Sequence, residues 1–112
     1  MNLALILAKP QLLEKRRLKT VVRLIEDEGF FLLDMCLLHI TPYEFEAFMK
    51  QINQTYEPVE ATLYGQGRSA LFAVHHKSDE FYVHGGRVEQ GSKARFLPGA
   101  AAVETWFGKL SK

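Results

Sequence analysis

Residues 96–106 read FLPGAAAVETW. A Pro-Gly pair stands between Phe96-Leu97 and three alanines, and a helical pattern follows at once. Val103, Trp106, Phe107 and Leu110 keep the i, i+3, i+4, i+7 spacing of an amphipathic helix. A tight turn feeding a helix N-terminus leaves backbone N–H groups unpaired, and proteins use such turns to hold phosphates. Here the turn is chemically blank: proline, glycine and alanine supply no nucleophile, acid or base.

The rest of the chain sets the context for that turn. Its 112 residues predict one domain spanning 1–112, large enough for a hydrophobic core and too short for two. A formal charge of +1 gives no global field to attract nucleic acid or an anionic membrane. A lone cysteine, Cys36, excludes an internal disulfide and a cysteine-based metal cluster, which fits a reducing, cytoplasmic setting. The apolar start, MNLALILAKP, lacks the basic n-region of a signal peptide, and no run reaches the length of a membrane span.

Leu3–Ala8, LALILA, is an unbroken apolar run and predicts an interior strand covered on both faces. In the following segment Leu18, Val21, Val22 and Ile25 share one helical stripe, with Gly29 as terminator and Phe30 behind it. Phe30–Ile40 predicts a second strand. Thr41, Pro42 and Glu44 form a capping box that starts a second helix, with Phe45, Phe48, Met49 and Ile52 inward. Pro58 is expected to end or break that helix, with a short helical turn over Val59–Tyr64. YGQGRS reads as a turn, ALFAVHH as a third strand and FYVH, residues 81–84, as a fourth. The order β-α-β-α-β-β-α predicts an α+β, ferredoxin-like antiparallel sheet with helices packed on one face.

At the level of motifs the chain resembles the nucleoside diphosphate kinases. The resemblance runs through LALILAKP, the helix ending in EDEGF, the strand FLLDMCLL and the turn LPGAAAVETW, and covers nearly the whole chain. In that family a strand ends in Lys-Pro-Asp and the next helix in Gly-Phe. A later Ile-His-Gly-Ser-Asp-Ser-Val-Glu motif carries the histidine that is phosphorylated and passes the phosphoryl group to a diphosphate. Leu97, Gly99, Val103 and Glu104 fit that motif, whereas Pro98 takes the place of the histidine. Lys9 matches a family lysine directly, and Gln11 stands for the aspartate after Lys-Pro. Met49 stands for a base-stacking tyrosine, Glu57-Pro58 for a phenylalanine pair and Arg95 for an asparagine. The segment bearing a phosphate-binding arginine and threonine falls in a shortened region before Pro98; Arg87 stands in part for another family arginine.

The resemblance therefore implies a nucleoside diphosphate kinase-like domain without its nucleophile, acting as a binding, regulatory or assembly module. Covalent phosphotransfer needs a group such as imidazole, and Pro98 has no lone pair to offer. The residues left to contact a nucleotide are Lys9, Arg87 and Arg95. No cofactor is fixed by the sequence; ATP or another nucleotide with magnesium is the ligand to test. Two rivals remain: a working phosphotransferase with a relocated nucleophile, for which His84 beside Gly85-Gly86 is the candidate, and a ferredoxin-like small-molecule sensing domain. His75 and His76 close a strand on opposite faces and share no site. The glycines of YGQGRS lack phosphate-loop spacing, and the basic run Lys15–Lys19 reads as a solvated face balanced by Glu26, Asp27 and Glu28. Because Phe30–Ile40 is apolar on both alternating faces, a homodimer or higher homo-oligomer through this strand is expected.

Overall fold

The computed structural model describes residues 2–76 and 94–110. Four strands, β1 (Asn2–Ala8), β2 (Phe30–His39), β3 (Arg68–His76) and β4 (Ala94–Pro98), form one sheet in the order β2-β3-β1-β4. Every neighbouring pair is antiparallel. The helices are α1 (Pro10–Lys15), α2 (Leu18–Asp27), α3 (Pro42–Gln51), α4 (Pro58–Tyr64) and α5 (Ala100–Leu110).

The unbroken apolar run at the start becomes an inner strand. Residues Ala4 to Ala8 of β1 are all buried, flanked by β3 on one side and β4 on the other. Because side chains alternate along a strand, such a run demands cover on both faces. The structure supplies it. Ala4, Ile6 and Ala8 pack with Ala70, Phe72 and Val74 of β3 against Val21 and Ile25 of α2. Leu5 and Leu7 face Phe45, Phe48 and Met49 of α3, Tyr64 of α4 and Trp106 of α5. The antiparallel ferredoxin-like sheet is as expected, but the helices are divided between its two faces rather than gathered on one. The two-sided β1 and β3 leave no apolar-free face to expose.

Local signals place several boundaries. Thr41 accepts a hydrogen bond from the Glu44 amide, and the Glu44 carboxylate accepts one from the Thr41 amide, both at 3.1 Å. Gly29 ends α2 with φ 96°, a conformation that glycine enters without a Cβ penalty, and its N–H donates to the Glu26 carbonyl. Asn53 does the same work after α3: with φ 57° it lets its own N–H reach Lys50 O and that of Gln54 reach Met49 O. The second helix thus stops well before Pro58. That proline stands first in α4, where its missing N–H is no loss.

Three departures from sequence expectation bear on the site. The predicted first helix is two pieces, since Arg16 and Arg17 are extended and let α1 pack on β3 while α2 packs on β2. The fourth strand of the sheet is Ala94–Pro98, hidden in the sequence by its brevity and its Pro-Gly ending; FYVH lies outside the described residues. Finally, the register of β2 shifts between Leu32 and Asp34. Opposite Val74 and Phe72, Leu32 and Met35 therefore fall on the α2 face together, whereas strict alternation had separated them. Cys36 and Leu38 pack on the other core.

Phe72 is fully buried, and Phe72→Ala is expected to cost about 3–5 kcal/mol of unfolding free energy by chemical denaturation. Val59, 64% exposed on α4, serves as the control: Val59→Ala is expected to stay within about 0.5 kcal/mol of the parent.

Candidate functional site

The end of β1, the start of β4 and α4 converge on a small charged cluster. Alternation along β1 puts Lys9 on the same face as Leu5 and Leu7, towards α4. Arg95 pairs opposite Leu7 and so shares that face. From α4, Glu60 and Tyr64 are one turn apart and point the same way.

Arg95 is held on two sides. Its Nη1 donates to both Glu60 carboxylate oxygens, at 3.0 and 3.2 Å, and its Nη2 donates to the Thr55 carbonyl in the α3–α4 connection. The pair is largely shielded, with side-chain exposures of 21% and 13%. Lys9 is only 8% exposed, and its Nζ stands 5.5 Å from the centre of the Tyr64 ring. That ring is stacked on Phe45 at 4.7 Å, and its hydroxyl donates to Leu7 O at 2.8 Å, so the aromatic platform is fixed. Burial pushes the Lys9 ammonium below the ordinary lysine range; the Glu60 charge pulls it back up, and Arg95 adds to the lowering. Two cations thus share one carboxylate, leaving a net charge of +1 in a site that is mostly closed.

The turn at Pro98 is elsewhere. Pro98 pairs opposite Ala4, five residues before Lys9 in β1, which is roughly 17 Å at about 3.4 Å per residue. Gly99, at φ 106°, donates its N–H to Leu3 O at 2.8 Å and launches α5. The left-handed glycine is what the Pro-Gly pair contributes: it turns the chain from β4 into a helix whose Ala102 and Trp106 pack on β1. Of the residues singled out from sequence, Lys9 and Arg95 come together, Pro98 stands apart, and His84 and Arg87 lie outside the described residues. Two cavities, of about 350 and 200 Å³, involve neither Lys9 nor Arg95. Sequence reasoning missed Glu60, Thr55 and Tyr64. The spacing of Glu60 and Tyr64 marks one helix face, but nothing local ties either to a residue more than 30 positions on.

No family model and no curated protein match the sequence. Solved structures do. A nucleoside diphosphate kinase of Aquifex aeolicus is similar with a TM-score of 0.58 at 17% identity, over 73% of this chain and 57% of that one. The enzyme of Encephalitozoon cuniculi gives 0.56 at 14% identity, over 69% and 53%. An NDP kinase of Pyrobaculum aerophilum gives 0.53 at 12%, over 74% and 65%. The fold is that of the nucleoside diphosphate kinases. The likeness is one of architecture, and it takes in between about half and two thirds of those longer chains. Within the nucleoside diphosphate kinase fold, the Lys9–Glu60–Arg95 cluster sits where the first strand runs out beside the short α4 helix. No helix among the described residues is long and apolar enough to cross a membrane.

The lowered Lys9 pKa fixes a pH dependence. Between that value and 10.5 the unfolded chain carries a proton on Lys9 that the folded chain has lost, so stability rises with pH across this window. Below the window Lys9 is charged in both states and its burial penalty is fully present. The stability of the parent relative to Lys9→Met is therefore expected to climb as pH rises towards 10.5 in urea titrations; a pH-independent difference would contradict the assignment.

Proposed function

We propose that this chain is a nucleoside diphosphate kinase-like domain that has lost phosphoryl transfer and serves as a binding, regulatory or assembly module. The observation that carries the reading is the commitment of Arg95. By resemblance this residue takes the place of a nucleotide-facing asparagine, yet its guanidinium turns inward to Glu60 and Thr55. A carboxylate beside Lys9 repels a phosphate and competes for the same cation. The sequence adds the second half: Pro98 stands where the resemblance places the phosphorylated histidine, and a covalent step has no substitute in positioning alone. A nucleotide with magnesium would have to displace the Arg95–Glu60 pair before Lys9 became available to it.

The assembly side of the proposal rests on β2. Among the described residues it is an edge of the sheet, and Phe31, Leu33 and Leu37 on it are 41–51% exposed. An exposed apolar edge strand is a template for pairing with a second copy. A homodimer through Phe30–Ile40 satisfies both the open hydrogen-bond ladder and the apolar side chains.

Incubation with γ-labelled ATP and magnesium tests the loss of transfer. The purified protein is expected to remain unlabelled and to move no phosphate to a second nucleoside diphosphate. Acid-labile label on the wild type that disappears in His84→Ala would overturn the reading in favour of a relocated nucleophile.

A further inference from the structure

Helix α3 meets α5 through the rings of Phe48 and Trp106, whose centroids are 5.1 Å apart at an interplanar angle of 67°. A cavity of about 200 Å³ opens beside this contact. Tyr43, Ala47 and Gln51, each four residues apart, line it as one stripe of α3, and Trp106 lines it from the α5 side. Ala47 adds only a methyl group in the middle of that stripe, which leaves the recess between its larger neighbours.

The walls are aromatic and the charge is negative. Phe48 and Trp106 are set in the core at 3% and 8% exposure, so their orientation is fixed, while Tyr43, 81% exposed, stands at the rim. Glu44 brings the only formal charge among the residues lining the cavity. Its carboxylate is held by the α3 cap, with Oε1 accepting from the Thr41 N–H. One further group is uncommitted: the Nε1–H of Trp106 is buried and has no hydrogen-bond partner among the described residues. Leaving a buried donor unsatisfied is costly, and native structures seldom do so.

These features select among ligands. An anion would meet the Glu44 carboxylate. A divalent metal ion needs several ligating side chains, and no group of three His, Cys, Asp or Glu gathers among the described residues. An organic cation fits, because aromatic faces attract positive charge. A quaternary ammonium also carries no N–H donor that apolar walls would leave unpaired. We propose that this cavity binds a free trimethylammonium alcohol of the choline class. Its cation lies among Tyr43, Phe48 and Trp106, Glu44 balances the charge, and its hydroxyl oxygen accepts the Trp106 Nε1–H. The cavity shares no residue with the Lys9–Glu60–Arg95 cluster, so binding here is independent of phosphoryl transfer.

Trp106 is the only tryptophan of the chain and reports on the site directly. Choline chloride is titrated into the full chain against sodium chloride of equal ionic strength, followed by tryptophan emission and the indole Hε1 resonance. A saturable emission change and a downfield Hε1 shift are expected. The uncharged isostere, with a tert-butyl group in place of trimethylammonium, is expected to bind at least about tenfold more weakly. Tyr43→Ala and Glu44→Gln leave the core rings in place, and glutamine keeps the capping box. Each is expected to weaken choline binding about fivefold. Phosphocholine, whose phosphate meets Glu44, is expected to bind more weakly than choline. No saturable response to choline, or equal binding of the isostere, overturns the proposal. Equal affinity of the parent and both variants overturns the assigned site. Phosphocholine binding more tightly than choline overturns the free alcohol as ligand.

Discussion

The structure depends on a strand that is apolar on every residue. Leu5 and Leu7 of β1 point to one face and Ala4, Ile6 and Ala8 to the other, and all five are buried. A sheet built on such a strand has no solvent face at its centre, so helices must be found for both sides. The remaining architecture follows from that requirement. The chain sends α1 and then α2 to one face after β1, and α3, α4 and α5 to the other. With both faces covered, the sheet among the described residues is open at its edges and at the ends of β1.

What happens at the C-terminal end of β1 decides the functional reading. Lys9 is the first charged residue beyond the buried run, held by Tyr64 on one side and influenced by Glu60 on the other. Arg95, brought in by β4, joins the same carboxylate. The fold thus assembles a cationic corner and then spends most of it internally. Charge-assisted hydrogen bonds of this kind are strong when shielded, and removing one partner strands the other. The arrangement holds α4 and the α3–α4 connection against β4, a structural role for residues that the resemblance would place around a nucleotide.

Elements governed by neighbours in sequence were legible from the sequence. The Thr41–Glu44 box, the Gly29 terminator and the α2 stripe are local physics, and the two-sided burial of β1 follows from its composition. The continuous run of β1 requires cover on both faces, which is why the helices divide between them and do not gather on one. What stayed hidden depends on distant partners. A five-residue strand ending in Pro-Gly carries little periodicity, and β4 exists because β1 offers it a free edge. The register shift in β2 is set by β3, not by β2's own pattern. The Glu60–Arg95 pair joins residues 35 apart in sequence, and no spacing rule reaches that far.

Arg95 is engaged by Glu60 and Thr55 within the protein. Side-chain NMR of the arginine guanidinium groups, followed while ADP and magnesium are added, tests that engagement directly. Arg95 is expected to give slowly exchanging guanidinium resonances that hold their positions at millimolar nucleotide. A saturable shift of those resonances, accompanied by movement of the Lys9 ammonium signal, would show instead that the pair opens for nucleotide.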